Sequence, residues 1–174
     1  MAMKFVQTRV MTFLPPDLYA TIEQSVPFAC VDFVPVRETE SEKRQVGLIL
    51  RESPFGQVWC HLGGRILRGE TIAQALQRHA VDTLSTSLRI SEDPQPAWVY
   101  QWFPPALAPE VGWAFGTDPR KHAIGLSFVT ALEGEPAPRN EALDFAFFDV
   151  DALPQPLWPG CQELLGKLLS TPRP

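Results

Sequence analysis

The spacing of apolar positions changes several times along the chain, and each change marks a predicted element. From Pro16 to Gln24, Leu18, Ile22 and their neighbours share one side at helical spacing, with proline at the entry where its missing N–H costs nothing, so a short first helix is predicted. Phe28 to Val36 and Gln45 to Leu50 are β-favouring runs, and the charged stretch Arg37 to Arg44 between them reads as the turn of a hairpin. Val58 to Leu62 follows as another strand, interrupted by a Gly63-Gly64 break. From Thr71 to about Leu88, the residues Ile72, Leu76, Ala80, Leu84 and Leu88 recur every four positions and form an apolar stripe that needs a sheet to pack on. Further strands are predicted over Trp98 to Phe103, Ala123 to Leu132 and Asp144 to Val150. A closing helix over Pro159 to Leu169 turns Leu164, Leu165 and Leu168 inward. The order is mixed α/β.

Length and composition narrow the possibilities. At 174 residues and 45% hydrophobic content, the chain has enough apolar material for one core, so a single domain over 1–174 is expected without disulfide staples. Prolines cluster at connections such as Pro94 to Pro96 and Pro136 to Pro138, where they punctuate elements. Cys30, Cys60 and Cys161 are odd in number and far apart, which excludes a disulfide framework and fits a reducing cytoplasm. Met1 to Pro15 lacks a continuous apolar leader, and no stretch approaches the roughly 20 apolar residues of a membrane span, so a soluble protein with no membrane partner is expected. The formal charge of -5 argues against nucleic acid as a partner, while leaving room for a local basic pocket.

The chemistry is concentrated in Trp59-Cys60-His61-Leu62-Gly63-Gly64-Arg65-Ile66-Leu67-Arg68-Gly69-Glu70 and the helix that follows, through Arg78, His79, Asp82 and Thr83. A glycine turn lets backbone approach a pyrophosphate, and carboxylates one helical turn apart can share a divalent cation. The segment resembles the Nudix box, G-x5-E-x7-R-E-U-x-E-E-x-G-U with U a bulky aliphatic residue, with Gly64, Glu70 and Arg78 in register. The resemblance implies a Nudix fold, a mixed sheet between helices in an α/β/α arrangement. It also implies that Glu70 and Arg78 are structural box residues tying loop to helix. At the metal-facing glutamate positions stand His79, Asp82 and Thr83, and Ser85 stands at the closing glycine. Only Asp82 keeps a carboxylate; His79 is expected to face solvent.

From Leu14 to Pro154 the layout is similar to the GDP-mannose mannosyl hydrolase branch of Nudix proteins, with Leu18 to Val36 matching its leading helix and first strand. That branch attacks the sugar carbon of a nucleoside diphosphate sugar. It holds Mg²⁺ through a glycine carbonyl, a late box glutamate and a distal glutamine, which correspond to Gly63, Thr83 and Glu141. Its general-base histidine corresponds to Ala142, which cannot accept a proton. With Asp82, the retained box carboxylate, taking the place of Thr83, metal binding by Gly63, Asp82 and Glu141 with Mg²⁺ or Mn²⁺ is expected, and catalysis by Arg65, Asp82 and Glu141. The resemblance implies substrate contacts by Arg51 and Arg65, the arginines offering paired donors to phosphate, and Gly64 in the glycine turn and His122 beside a strand are expected to line the same pocket. The branch forms dimers, so a homodimer is expected.

Each residue also has a plainer reading. Gly63 and Gly64 could be a simple turn, Asp82 a solvated helix residue, Glu141 an ordinary loop acid, and His61 and His122 satisfied or surface histidines. Trp59, Trp98, Trp102, Trp113 and Phe103 are expected mostly in the core. Three functional readings remain open: a divergent Nudix-type hydrolase of weakened or altered activity acting on a nucleoside diphosphate sugar, an inactive module that binds a nucleotide-type ligand, and a protein-interaction domain.

Overall fold

The computed structural model describes residues 14–40, 43–110, 112 and 114–170. The residues before 14, positions 41–42 of the expected hairpin turn, and Trp113 lie outside the described residues. A first helix, α1 (Pro16–Ser25), leads into β1 (Phe28–Glu38), β2 (Arg44–Ser53), β3 (Gly56–Cys60) and β4 (Leu62–Arg65). Helix α2 (Ile72–Leu84) follows, then β5 (Ser87–Arg89), β6 (Trp98–Phe103), β7 (Gly116–Thr117), β8 (Ala123–Glu133), β9 (Asp144–Asp149) and α3 (Cys161–Ser170).

Among the described residues, nine strands form one mixed sheet whose main path runs β3-β2-β1-β8-β6-β7. Strand β1 organises it. Its outer end pairs antiparallel with β2, making the expected hairpin through Val36 and Val46. Its inner part pairs antiparallel with β4 on one edge and parallel with β8 on the other. Cys30 to Pro35 are buried without interruption, as expected of a strand covered on both faces. Helix α2 packs on β4, β5 and β1, and α3 on β6, β7 and β8, so the sheet is mixed and lies between helices. Leu164, Leu165 and Leu168 of α3 are buried, the inward set expected from their spacing.

Two sequence expectations change. Gly63-Gly64 is not a break after a strand: both residues lie inside β4, with Gly63 opposite Asp32. A Cβ on Gly63 would lie 2.1 Å from the Val31 carbonyl oxygen, and its φ of +139° disfavours any side chain, so glycine here allows close strand pairing as well as a turn. Helix α2 ends at Leu84 rather than running to Leu88. Ser85 takes a left-handed conformation, φ 55°, ψ 25°, and its N–H closes on the Val81 carbonyl. Leu88 is still buried, but from β5, so the four-residue stripe continues into a strand. At its start, α2 carries a reciprocal cap in which Gln74 N–H donates to Thr71 Oγ1 and Thr71 N–H to Gln74 Oε1.

Ser85 stands where the Nudix resemblance expects glycine, and a left-handed residue with a Cβ is strained by about 1–2 kcal/mol, part of which glycine's greater unfolded entropy offsets. Ser85→Gly is therefore expected to stabilise the protein by up to about 1 kcal/mol, measured as a higher denaturant midpoint with an unchanged slope.

Candidate functional site

The inner part of β1 faces a cleft of about 80 Å³ lined by Cys30, Asp32, Arg51, Cys60, His61, Gly63, Gly64, Trp102, Asp118, Arg120, Lys121, Ala123 and Trp158. Alternation along β1 turns Cys30 and Asp32 to this side and Val31 and Phe33 away. The volume suits a few waters or a phosphate-sized group, and a nucleotide would have to extend beyond it.

Asp32 is a buried carboxylate at the base of the cleft. Its Oδ2 accepts a hydrogen bond from Trp102 Nε1 at 3.3 Å, and its Oδ1 lies 3.4 Å from His61 Nε2. A Cβ on Gly125 would come within 1.9 Å of Asp32 Oδ2, so a glycine on β8 makes room for the carboxylate. The His61 ring stacks on Trp102, with ring centres 5.0 Å apart, and its Nδ1 lies 3.9 Å from Cys161 Sγ. Burial pulls the His61 pKa down, but the charge and hydrogen bond of Asp32 overcome this and raise it to about 10. Asp32 thus favours the protonated form of His61 at the base of the cleft. Burial pushes the Cys30 thiol up to about 12 and the Cys60 thiol up as well, leaving both protonated and weakly nucleophilic.

Two guanidiniums flank Trp158. Arg51 Cζ lies 5.8 Å from the indole centre and Arg120 Cζ lies 5.2 Å from it, both within cation–π range. Trp158 Nε1 donates to the Thr117 carbonyl at 2.7 Å, which fixes the ring. Asp118 accepts from Arg120 Nε at 2.9 Å, Nη2 at 2.8 Å and the backbone N–H at 3.0 Å, a tight turn that aims the guanidinium. Burial acts to raise the Asp118 pKa, but these Arg120 hydrogen bonds and charge hold it below its usual value. Arg51 pairs with Glu141, Nη1 to Oε2 at 2.8 Å. Lys121 adds a third cation beside them, with its Nζ 5.9 Å from the Phe28 ring centre.

The box residues form a brace beside this cleft. Arg78 donates to Glu70 from Nε at 2.6 Å and from Nη2 at 2.9 Å, and also from Nη2 to the Arg65 carbonyl at 2.9 Å. Glu70 in turn accepts from Leu67 N–H at 2.8 Å. His79 is half-buried, contrary to its expected exposure. Its Nε2 lies 3.1 Å from the Arg65 carbonyl, and its ring occupies the space a side chain at Gly64 would need, with a Cβ there only 2.6 Å from Cε1. Burial lowers its pKa, so the neutral ring with Nε2–H donating fits this contact.

The remaining candidates are dispersed. Asp82 is exposed on α2, whereas Thr83 is buried. Arg65 lies outside the cleft lining: its guanidinium rests 4.6 Å from the Tyr19 ring centre and 5.4 Å from that of Phe28. His122 stacks on Phe103, with ring centres 4.4 Å apart, and also lies outside the lining. Trp102 is buried as expected, but Trp98 is 40% exposed. Ala142 is buried. The donor set does not fit a Mg²⁺ or Mn²⁺ ion: among the described residues no three His, Cys, Asp or Glu side chains gather as a metal-binding group, and Glu141 faces Arg51.

Sequence reasoning missed Asp32, Asp118, Arg120, Lys121 and Trp158. Asp32 had left a signal, a lone acid within an otherwise apolar strand that would have to be buried with a partner. The others come from connections whose placement depends on the folded sheet.

A family model described as Domain of unknown function (DUF4916) matches residues 10–163, most of the chain. No curated protein matches the sequence significantly. Among solved structures, a possible asymmetric diadenosine tetraphosphate (Ap(4)A) hydrolase of Jonesia denitrificans is 29% identical, over 82% of this chain and 92% of that one, with a TM-score of 0.69. A MutT Nudix hydrolase of Burkholderia pseudomallei is 20% identical over 82% and 98%, with a TM-score of 0.65. The Nudix domain of Shewanella oneidensis NrtR, crystallised with ADP-ribose, is 18% identical over 88% and 90%, with a TM-score of 0.56. The architecture is that of Nudix-fold structures. No helix among the described residues is long and apolar enough to cross a membrane.

Proposed function

The chain belongs to the DUF4916 family, and from that premise we propose that it binds a nucleoside diphosphate derivative, such as a nucleotide sugar, in the cleft beside Trp158. The observation that carries this reading is the convergence of Arg51, Arg120 and Lys121 on one small cleft next to Gly63 and Gly64. A planar guanidinium such as that of Arg51 matches phosphate oxygens through paired N–H donors, and Arg120, whose Nε and Nη2 already meet Asp118, keeps its remaining N–H groups for the ligand. The cleft accepts the charged group, and the base and sugar extend over the surrounding surface. The ADP-ribose complex of the NrtR Nudix domain supports a nucleotide-type ligand in general terms.

Hydrolysis of that ligand, as in the GDP-mannose mannosyl hydrolase branch, is the second reading. The likeness to the possible Ap(4)A hydrolase at 29% identity favours it. Against it stand Thr83 and Ala142 where that branch has a metal-binding glutamate and its base.

Thermal unfolding in the presence of nucleoside diphosphate sugars, followed by chromatography of each ligand that raises the midpoint, tests both readings. Binding alone predicts a higher midpoint with the ligand recovered intact, and Arg51→Gln is expected to weaken the shift by about tenfold in ligand concentration. Repeated turnover by a purified sample favours hydrolysis instead. No shift with any nucleoside diphosphate derivative would remove the reading.

A further inference from the structure

The two cleft arginines are held in different ways. Arg120 meets Asp118 through two guanidinium nitrogens within a single turn, so that pair is local and closed. Arg51 meets Glu141 through one nitrogen, across ninety positions of chain, with side chains 21% and 33% exposed. The loop carrying Glu141 is latched on both sides. Ala137 N–H donates to the Leu84 carbonyl at 2.7 Å and Arg139 N–H to the Thr83 carbonyl at 2.9 Å, while Leu143 N–H donates to the Leu50 carbonyl at 2.8 Å. The Arg139 guanidinium also donates to the Val81 carbonyl, and the Asn140 side chain to the Asp82 carbonyl, which together cover the C-terminal end of α2 with a cation and donors. Glu141 is therefore delivered to Arg51 by a fixed loop, at the edge of a cleft that Arg120 and Lys121 also line.

A carboxylate and a phosphate oxygen compete for the same N–H donors, and a single-point, part-exposed ion pair is the weaker partner. We propose that Glu141 is a resident competitor anion: a phosphate-class ligand binds by taking Arg51 over from Glu141, and Arg51 with Lys121 supplies the positive charge in place of a divalent cation. This rests on the diphosphate-ligand reading and assigns Glu141 a role opposite to that of a metal ligand. A metal ligand holds the substrate through the ion, so its loss weakens binding. A competitor blocks the site, so its loss tightens binding.

Calorimetric titration of the full chain with inorganic pyrophosphate, in EDTA and separately in excess Mg²⁺, reads that sign. In EDTA, Glu141→Gln is expected to bind pyrophosphate about threefold to fivefold more tightly than wild type, the span of a part-exposed ion pair. Glu141→Ala is expected to change in the same direction, and Arg51→Gln to lose at least about tenfold. Unfolding midpoints of the free variants establish that each is folded. Weaker binding by both Glu141 variants, or binding seen only with Mg²⁺, would overturn the inference. The diphosphate reading would survive that result if nucleotide sugars still bind the wild type. Absence of binding by pyrophosphate and nucleoside diphosphates in both buffers would overturn inference and reading alike.

Discussion

Arg78→Met is expected to destabilise the protein by about 3 kcal/mol, the cost of removing one partner from a largely buried ion pair. The arginine and Glu70 side chains are 22% and 16% exposed, so solvent screens little of the interaction. Methionine keeps the apolar stem but leaves the Glu70 carboxylate with only the Leu67 N–H, and leaves the Arg65 carbonyl with one donor fewer. The Arg78 hydrogen bonds hold the Glu70 pKa below the usual glutamate range. A depressed carboxylate contributes stability above its unfolded pKa and loses it as pH falls through the folded one, so the wild type should shed this contribution in acid while Arg78→Met should not. At neutral pH the variant's thermal midpoint should fall by roughly 6–12 °C, on the scale of a domain this size. A fall of less than about 2 °C would mean that the brace between loop and α2 contributes little.

A second large effect concerns alkaline pH. Asp32 raises the His61 pKa from 6.5 to about 10 against the opposing effect of burial. A group whose folded pKa is raised contributes fully below its unfolded value and loses that contribution as pH rises through the folded value. Unfolding free energy should therefore decline between pH 6.5 and about 10, with a slope of up to about 1.4 kcal/mol per pH unit from this one group. Asp32→Asn removes the charge while keeping an acceptor for Trp102, and should flatten this part of the profile. Denaturant unfolding across the pH range measures the slope, and the imidazole proton resonances locate the titration. A native His61 that loses its proton below pH 7 would refute the assignment. The His61 ring is stacked on Trp102 beneath the cleft, where Asp32 offsets the charge it carries.

Periodicity was enough to predict the hairpin, the helix after Glu70, strands β6, β8 and β9, and the inward leucines of α3, because burial on one face or both leaves a pattern in neighbouring residues. The register of Gly64, Glu70 and Arg78 pointed to the Nudix fold for a similar reason: a strand, loop and helix joined within fifteen residues have a spacing that their covalent path sets. The end of α2 was less legible. The apolar stripe runs through to Leu88, and nothing in that spacing says that Ser85 will turn left-handed and pass the last leucine to a strand.

The linear chain by itself determined the main helices and strands, though not the short strands β4, β5 and β7, and that the glycine-containing box comes beside a mixed sheet, since local sterics and apolar spacing act over a few residues. Only the tertiary structure decided what the cleft contains. Asp32 and His61, Arg51 and Glu141, and the two arginines flanking Trp158 are distant in sequence, and the pairing of β1 with β4 and β8 and of β2 with β9 brings them together. Charge interactions depend on separation in space and on burial, and neither quantity exists until the sheet has closed around them.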